Sequence, residues 1–158
     1  MAAAVMIAAL LAPTAMPITP PTVSVSVDDP AQTGVRGSAY TGKYYRQHQE
    51  NYRKCVGQRE GRFQYFGTGS MGYYEGTYQM TDALFTGAAW MIGRELKATY
   101  KNWDVVRAQL LDTPGHKWGR FWQDMAFYTV LNWRGEGVGA SHWAGGRYGC
   151  TLCPLIRP

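Results

Sequence analysis

In the stretch KCVGQREGRFQYFGTGS, residues 54–70, one acid, Glu60, closes an amphipathic run and is followed by glycines and aromatic side chains. A carboxyl that passes a proton to a substrate needs an environment from which water is partly excluded, because burial against apolar rings helps a carboxyl keep its proton near neutral pH. Phe63, Tyr65 and Phe66 are placed to supply such walls, whereas Arg59 or Arg62 aimed at Glu60 would favour the charged form. Glu60 as a plain solvated charge at a helix end is the alternative. Cysteine chemistry is the other candidate: Cys55, Cys150 and Cys153 allow one disulfide with one thiol left over. The spacing CTLC, residues 150–153, is also that of metal and redox motifs. A zinc site takes about four ligands, and only His142 is close in sequence, with His116 and Cys55 remote, so neither a metal nor another cofactor is expected. A disulfide between Cys55 and Cys150 would tie the start of the domain to its end and stabilise it by about 2–4 kcal/mol.

The elements that must position these residues follow from periodicity. From Thr41, a candidate N-cap, Tyr45, His48, Tyr52, Cys55 and Val56 recur at helical spacing. Continued at about 100° per residue, this helix brings Glu60 to the border of its buried face. Residues 61–76 then alternate glycines and aromatics, which suits a short hairpin or a large loop, the wall of a cleft being one use for it. Helical period returns over residues 77–96 with Met80, Leu84, Gly87 and Met91 on one face, and over 102–111 with Trp103, Val106 and Leu110. After DTPG, residues 112–115, the strongest stripe runs through Trp118, Phe121, Trp122, Met125 and Thr129 to about Asn132. Trp118, Trp122 and Trp133 are expected in the core, and Trp143 either lines a cleft or covers the disulfide. Residues 134–150 hold too many glycines for a helix. The expected fold class is α+β, mainly α, with a small β or loop lobe after the first helix.

A chain of 158 residues, 46% hydrophobic and 14% aromatic, is sufficient for one globular core. Its net charge of +5 favours an anionic partner such as nucleic acid, a membrane or a bacterial cell wall. The basic residues are scattered singly and no nucleic-acid-binding module is visible, so nucleic acid is not an expected partner. AAAVMIAALLA, residues 2–12, has the length of a signal-peptide core and is too short to span a bilayer, while Pro13, Pro17, Pro20 and Pro21 would break a buried helix there. The expected organisation is a signal peptide over residues 1–15, a flexible linker over 16–40, one domain over 41–150 and a tail over 151–158. Such a chain is secreted, with no stable membrane insertion after processing, and is expected to be a monomer.

CVGQRE (residues 55–60), GTG (67–69), GYYEGTYQM (72–80) and HWAGGRYGC (142–150), in this order and spacing, resemble the lysozyme-like lytic transglycosylases of Gram-positive bacteria, relatives of the resuscitation-promoting factors of actinobacteria in particular. The resemblance spans residues 41–150. It implies a lysozyme-like domain at the cell wall that cleaves the β-1,4 bond between N-acetylmuramic acid and N-acetylglucosamine of peptidoglycan, with Glu60 as the catalytic acid. It also implies Thr68 and Gln79 as polar cleft residues, and Tyr73, Tyr74 and Tyr78 as aromatic ones. Glycans are held in this way, by flat rings under their C–H faces and amides on their hydroxyl and acetamido groups. Hydrolysis by two carboxylates would require a second acid about 5–9 Å from the first. Glu75, Asp82, Asp104 and Asp124 are the candidates, Glu75 foremost because it stands in the lobe where the family commonly has Gly; an exposed loop charge is its plainer role. With no clear second acid, the transglycosylase route suits the sequence better.

Some positions depart from the family. Its resuscitation-promoting members place Cys directly before the catalytic Glu, whereas Cys55 lies five positions ahead of Glu60, as in other actinobacterial transglycosylase-like domains. Gly61, Arg62 and Phe63 stand in place of the usual small residues, and Phe85 where a Trp often occurs. Two further functions are therefore kept in view: a peptidoglycan-binding domain without turnover on the same fold, and a helical interaction domain unrelated to glycans, which the lack of a cleft beside Glu60 would favour.

Overall fold

The computed structural model describes residues 20–26, 28–144 and 153–155. Four α-helices account for most of the regular structure: α1 (Glu50–Glu60), α2 (Asp82–Leu96), α3 (Trp103–Asp112) and α4 (Arg120–Asn132). Short 3-10 turns precede α1 at Gln47–Gln49 and α4 at Gly115–Lys117, and a longer one follows at Val138–Trp143. The mainly helical expectation holds. The lobe between α1 and α2 is a loop drawn together by isolated antiparallel bridges, Thr68 with Glu75 and Glu75 with Met80.

Helix α4 is the axis of the molecule, since every residue from Trp122 to Asn132 is buried. Helix α2 packs against both α3 and α4. The core is strongly aromatic: Phe127 stacks on Tyr78 at 4.5 Å and on Trp143 at 4.6 Å between ring centroids, and Phe85 meets Trp118 edge-on at 4.9 Å. Trp118 and Trp122 are buried as expected, while Trp133 is only half-buried, at the end of α4.

Several boundaries differ from those read in the sequence, each for a tertiary reason. The first helix begins at Glu50 and not near Thr41, because polar groups of the preceding segment are held by α2 and α4. The Tyr40 hydroxyl and the Lys43 N–H both donate to Glu95 Oε1, and Ala39 N–H donates to Asp124 Oδ2. The second helix begins at Asp82, where the Thr81 hydroxyl accepts the Leu84 N–H as an N-cap. Its core face is Phe85, Ala88, Ala89, Ile92 and Leu96; Leu84 and Met91, expected there, lie at the margin.

Much of the segment expected as a linker is packed. Gln32 is buried; its backbone carbonyl accepts Tyr65 N–H and its side-chain Oε1 accepts Arg120 N–H. Val23 is buried, and its carbonyl accepts Gly119 N–H at 2.7 Å. The disulfide also differs from the expected pair. Cys55 is joined to Cys153, with Cα atoms 5.6 Å apart, and a sulfur in one disulfide is not available to Cys150. Cys150 itself, the signal peptide and part of the C-terminal tail lie outside the described residues.

Two predictions follow from this packing. Non-reducing peptide mapping should recover Cys55 joined to Cys153, and a Cys55–Cys150 peptide would refute the pairing. The second concerns Glu95, whose carboxyl is pushed above its ordinary value of 4.5 by burial, which outweighs its bonds from Tyr40 and Lys43. A carboxyl with a raised folded-state pKa costs stability as pH rises from its unfolded value through the folded one. Glu95→Gln should therefore gain stability relative to the parent between about pH 4.5 and 7. Urea midpoints that run parallel for the two proteins across that range would show the inference to be wrong.

Candidate functional site

Glu60 is the last residue of α1, and the chain turns sharply beyond it. Phe63 N–H and Gly61 N–H both return to the Gly57 carbonyl, and Arg62 and Phe63 take left-handed φ values of 51° and 56°. Gly61 lies directly on the lobe. A Cβ there would come within 2.5 Å of the Thr77 carbonyl oxygen, so the end of α1 and the turn leading to Met80 are in backbone contact. Thr77 N–H is in turn held by Gln123 Oε1 of α4 at 3.0 Å.

The lobe's second close approach fixes Gln79. Its backbone is left-handed, with φ 47°, and its side-chain amide donates to the Gly76 carbonyl at 2.8 Å. Its Oε1 lies 2.0 Å from where a Cβ on Gly69 would be, so a side chain at residue 69 would displace the Gln79 amide. Gln79 is thereby set at the mouth of an open groove of about 330 Å³, shared with Tyr74, Met80, Thr81, Leu84 and Trp143. Trp143 is buried, stacks on Phe127 and donates its indole N–H to the Tyr78 carbonyl at 3.0 Å. A second space of about 370 Å³ lies next to the first, and Leu84 and His142 border both.

Arg59 links Glu60 to this wall. Its Nε and Nη2 donate to Glu60 Oε1 at 2.9 and 2.6 Å, and Nη2 also donates to the Trp143 carbonyl. The Glu60 side chain is 28% exposed. Both bonds fall on one oxygen, so a proton passed to substrate through Oε1 would require this contact to be exchanged.

The other expected residues divide between groove and core. Gln79 and Tyr74 border the groove, Tyr74 being 47% exposed. Tyr73, 68% exposed, and Thr68, also exposed, stand on the outer face of the lobe. Tyr78 does not face the groove: it is 1% exposed, and its hydroxyl accepts from Arg53 at 2.7 Å and donates to Asp124 at 2.5 Å. Burial, with Asp124 and Tyr65 beside it, pushes the Tyr78 phenol well above its ordinary range. The rings of Phe63 and Tyr65, read as walls for Glu60, are buried, one against Gly57 and the other bonded through its hydroxyl to Asp124. Glu75 is turned toward the turn before α4, where Oε2 accepts His116 N–H at 3.0 Å and lies 3.2 Å from His116 Nδ1. Asp124 is fully buried among Tyr65, Tyr78, Arg53 and Ala39. Neither acid is directed at the groove as a second carboxylate.

His142, Leu84, Met91 and Arg134 border the groove without having been read as site residues. Leu84 and Met91 carried a helical signal that was assigned to the core, and nothing local distinguishes Arg134 or His142 in a glycine-rich return. Among the described residues no group of three or more His, Cys, Asp or Glu is placed to hold a metal ion, and no helix is long and apolar enough to cross a membrane.

The Gly61 contact makes a direct prediction. Gly61→Ala should push the lobe away from α1, costing about 1–3 kcal/mol by overpacking, and urea unfolding reads the loss. Unchanged stability would mean that α1 and the 76–80 turn do not touch. No family model, curated protein or solved structure matches the chain.

Proposed function

We propose that this chain is an exported, lysozyme-like enzyme that cleaves the glycan strands of peptidoglycan between N-acetylmuramic acid and N-acetylglucosamine, as a lytic transglycosylase with Glu60 as its acid and base. The observation that carries this is a chain of contacts from the end of α1: Arg59 bonds both Glu60 and the Trp143 carbonyl, and Trp143 lines a groove that presents Gln79 and Tyr74, a groove that Glu60 itself does not line. An amide and flat rings are the groups that hold acetamido sugars. Its disulfide suits an oxidising, extracellular setting, and its charge of +5 suits the anionic wall.

In this reaction Glu60 gives its proton to the glycosidic oxygen as the bond to the muramic-acid C1 breaks. The substrate's own N-acetyl group stabilises the cation formed at C1. Glu60, now a carboxylate, takes the proton from the C6 hydroxyl as that oxygen attacks C1, leaving a 1,6-anhydro product and a regenerated acid. Engagement of Glu75 by His116 and of Asp124 by the two phenols favours this route over hydrolysis with a second carboxylate.

A peptidoglycan-binding domain without turnover is favoured by one specific observation, the guanidinium already seated on Glu60 Oε1. The two functions separate by experiment. Purified peptidoglycan incubated with the chain should release anhydro-muropeptides detectable by mass spectrometry, and Glu60→Gln should fold normally and release at least about a hundredfold less, the scale of a lost general acid. Cleavage retained by that variant would end the assignment of Glu60. Binding without soluble product from the parent chain would establish the binding domain.

A further inference from the structure

The two spaces beside α2 adjoin, with Leu84 and His142 lining both. Their chemistry differs. The half lined by Trp143 offers an amide and aromatic rings, suited to a sugar. The far half has an apolar floor of Leu84, Met91 and Val130, a flank of Trp133, and Arg134 at its edge. Arg134 is exposed at the C-terminal end of α4, where its guanidinium carries a permanent positive charge. Glu136, the acid closest to it in sequence, is engaged by His48 at 2.5 Å and Arg46 at 3.6 Å. An occupant of this half therefore needs small apolar groups for the floor and a carboxylate for the guanidinium.

We propose that the far half of the groove holds the peptide branch of the wall polymer and that Arg134 binds one of its carboxylates, so that the chain selects peptide-bearing strands over bare glycan. This rests on the peptidoglycan reading of the Glu60 site. A muramic-acid sugar seated beside Glu60 carries its branch outward, and the short aliphatic residues and free carboxylates of that branch match the floor and the cation. A bare strand keeps the lactyl carboxylate on the sugar itself but has nothing to fill the second space.

Co-sedimentation with insoluble walls tests this, using the full chain carrying Glu60→Gln so that substrate is not consumed. The walls are first freed of phosphate-bearing polymers, then divided into an intact sample and one whose peptides have been removed by an amidase. Intact walls should bind about fivefold more tightly than bare glycan, the scale of one partly exposed ion pair. Adding Arg134→Gln should abolish that preference while leaving affinity for bare glycan unchanged, and raised salt should narrow the preference in the parent. Equal binding of the two walls, or a preference that survives Arg134→Gln, overturns the inference and leaves the Glu60 site standing. Binding of neither wall by the folded chain removes the peptidoglycan reading and the inference together.

Discussion

A guanidinium without solvent contact organises this domain. The Arg53 side chain on α1 is 0% exposed, and taking an ion out of water costs several kcal/mol unless partners restore what hydration supplied. Those partners come from every part of the molecule near the site. Glu50, one turn earlier on α1, accepts from Nε and Nη2 at 2.9 and 2.7 Å, Arg36 offers its carbonyl, Tyr78 its hydroxyl, and Asp124 of α4 lies 3.5 Å away. Burial alone would push the Glu50 carboxyl up, but the bonds from Arg53, Tyr128 and Ser38 outweigh it and hold it below its ordinary value. Glu50 and Asp124 balance its charge while the Arg36 carbonyl and Tyr78 hydroxyl fill its remaining donors, so the N-terminal segment, α1, the lobe and α4 are fixed as a set.

That set reaches the site through a closed path. Tyr65 and Tyr78, near the two ends of the lobe, both bond to Asp124, so the lobe between them is clamped to α4. The Tyr78 carbonyl receives the Trp143 indole, the Trp143 carbonyl receives Arg59, and Arg59 holds Glu60. Arg53 and Glu60 sit on one helix about 10 Å apart along its axis. The buried charge and the candidate acid are thus joined twice, through the rigid backbone of α1 and through the groove wall. Placement of Glu60 relative to Gln79 depends on both connections.

Periodicity made α3 and α4 legible, since Val106, Leu110, Trp122 and Met125 mark faces that are in fact buried. The position of Glu60 at the end of α1 was also legible from residue order, whereas Gln79 and Tyr74, which line a groove, were named from the family resemblance. What escaped was set by contacts distant in the chain. Nothing local in residues 20–40 announces that Gln32 will cap the approach to α4 or that Tyr40 will reach Glu95. Tyr78 was expected as a sugar-facing ring from the family resemblance alone, and only the tertiary structure supplies the carboxylate and guanidinium that take its hydroxyl inward. For Leu84 and Met91 the period was right and its meaning incomplete: a helix stripe that is apolar enough for the core also suits the floor of a groove. The expected pairing of Cys55 with Cys150 was wrong, because tying the domain's ends together does not tell two cysteines three positions apart from each other, and the partner that the backbone brings within 5.6 Å of Cys55 is Cys153.

The contact between Arg59 and Glu60 is where cleavage and binding alone part. A binder gains from it, because an ion pair holds the groove wall against α1 whether or not a ligand is present. A catalyst of the proposed kind needs one carboxyl oxygen of Glu60 turned to the glycosidic oxygen, and the guanidinium holds Oε1. Arg59 has a second acceptor in the Trp143 carbonyl, so release of Glu60 does not leave the guanidinium without a partner. Trp143 is also a wall of the groove, and a sugar pressed against it acts on the residue to which Arg59 is bonded. In the proposed cleavage, binding energy gathered along the groove, away from the reacting bond, would act on this contact through Trp143, which is how remote contacts come to accelerate a reaction and not merely tighten a complex.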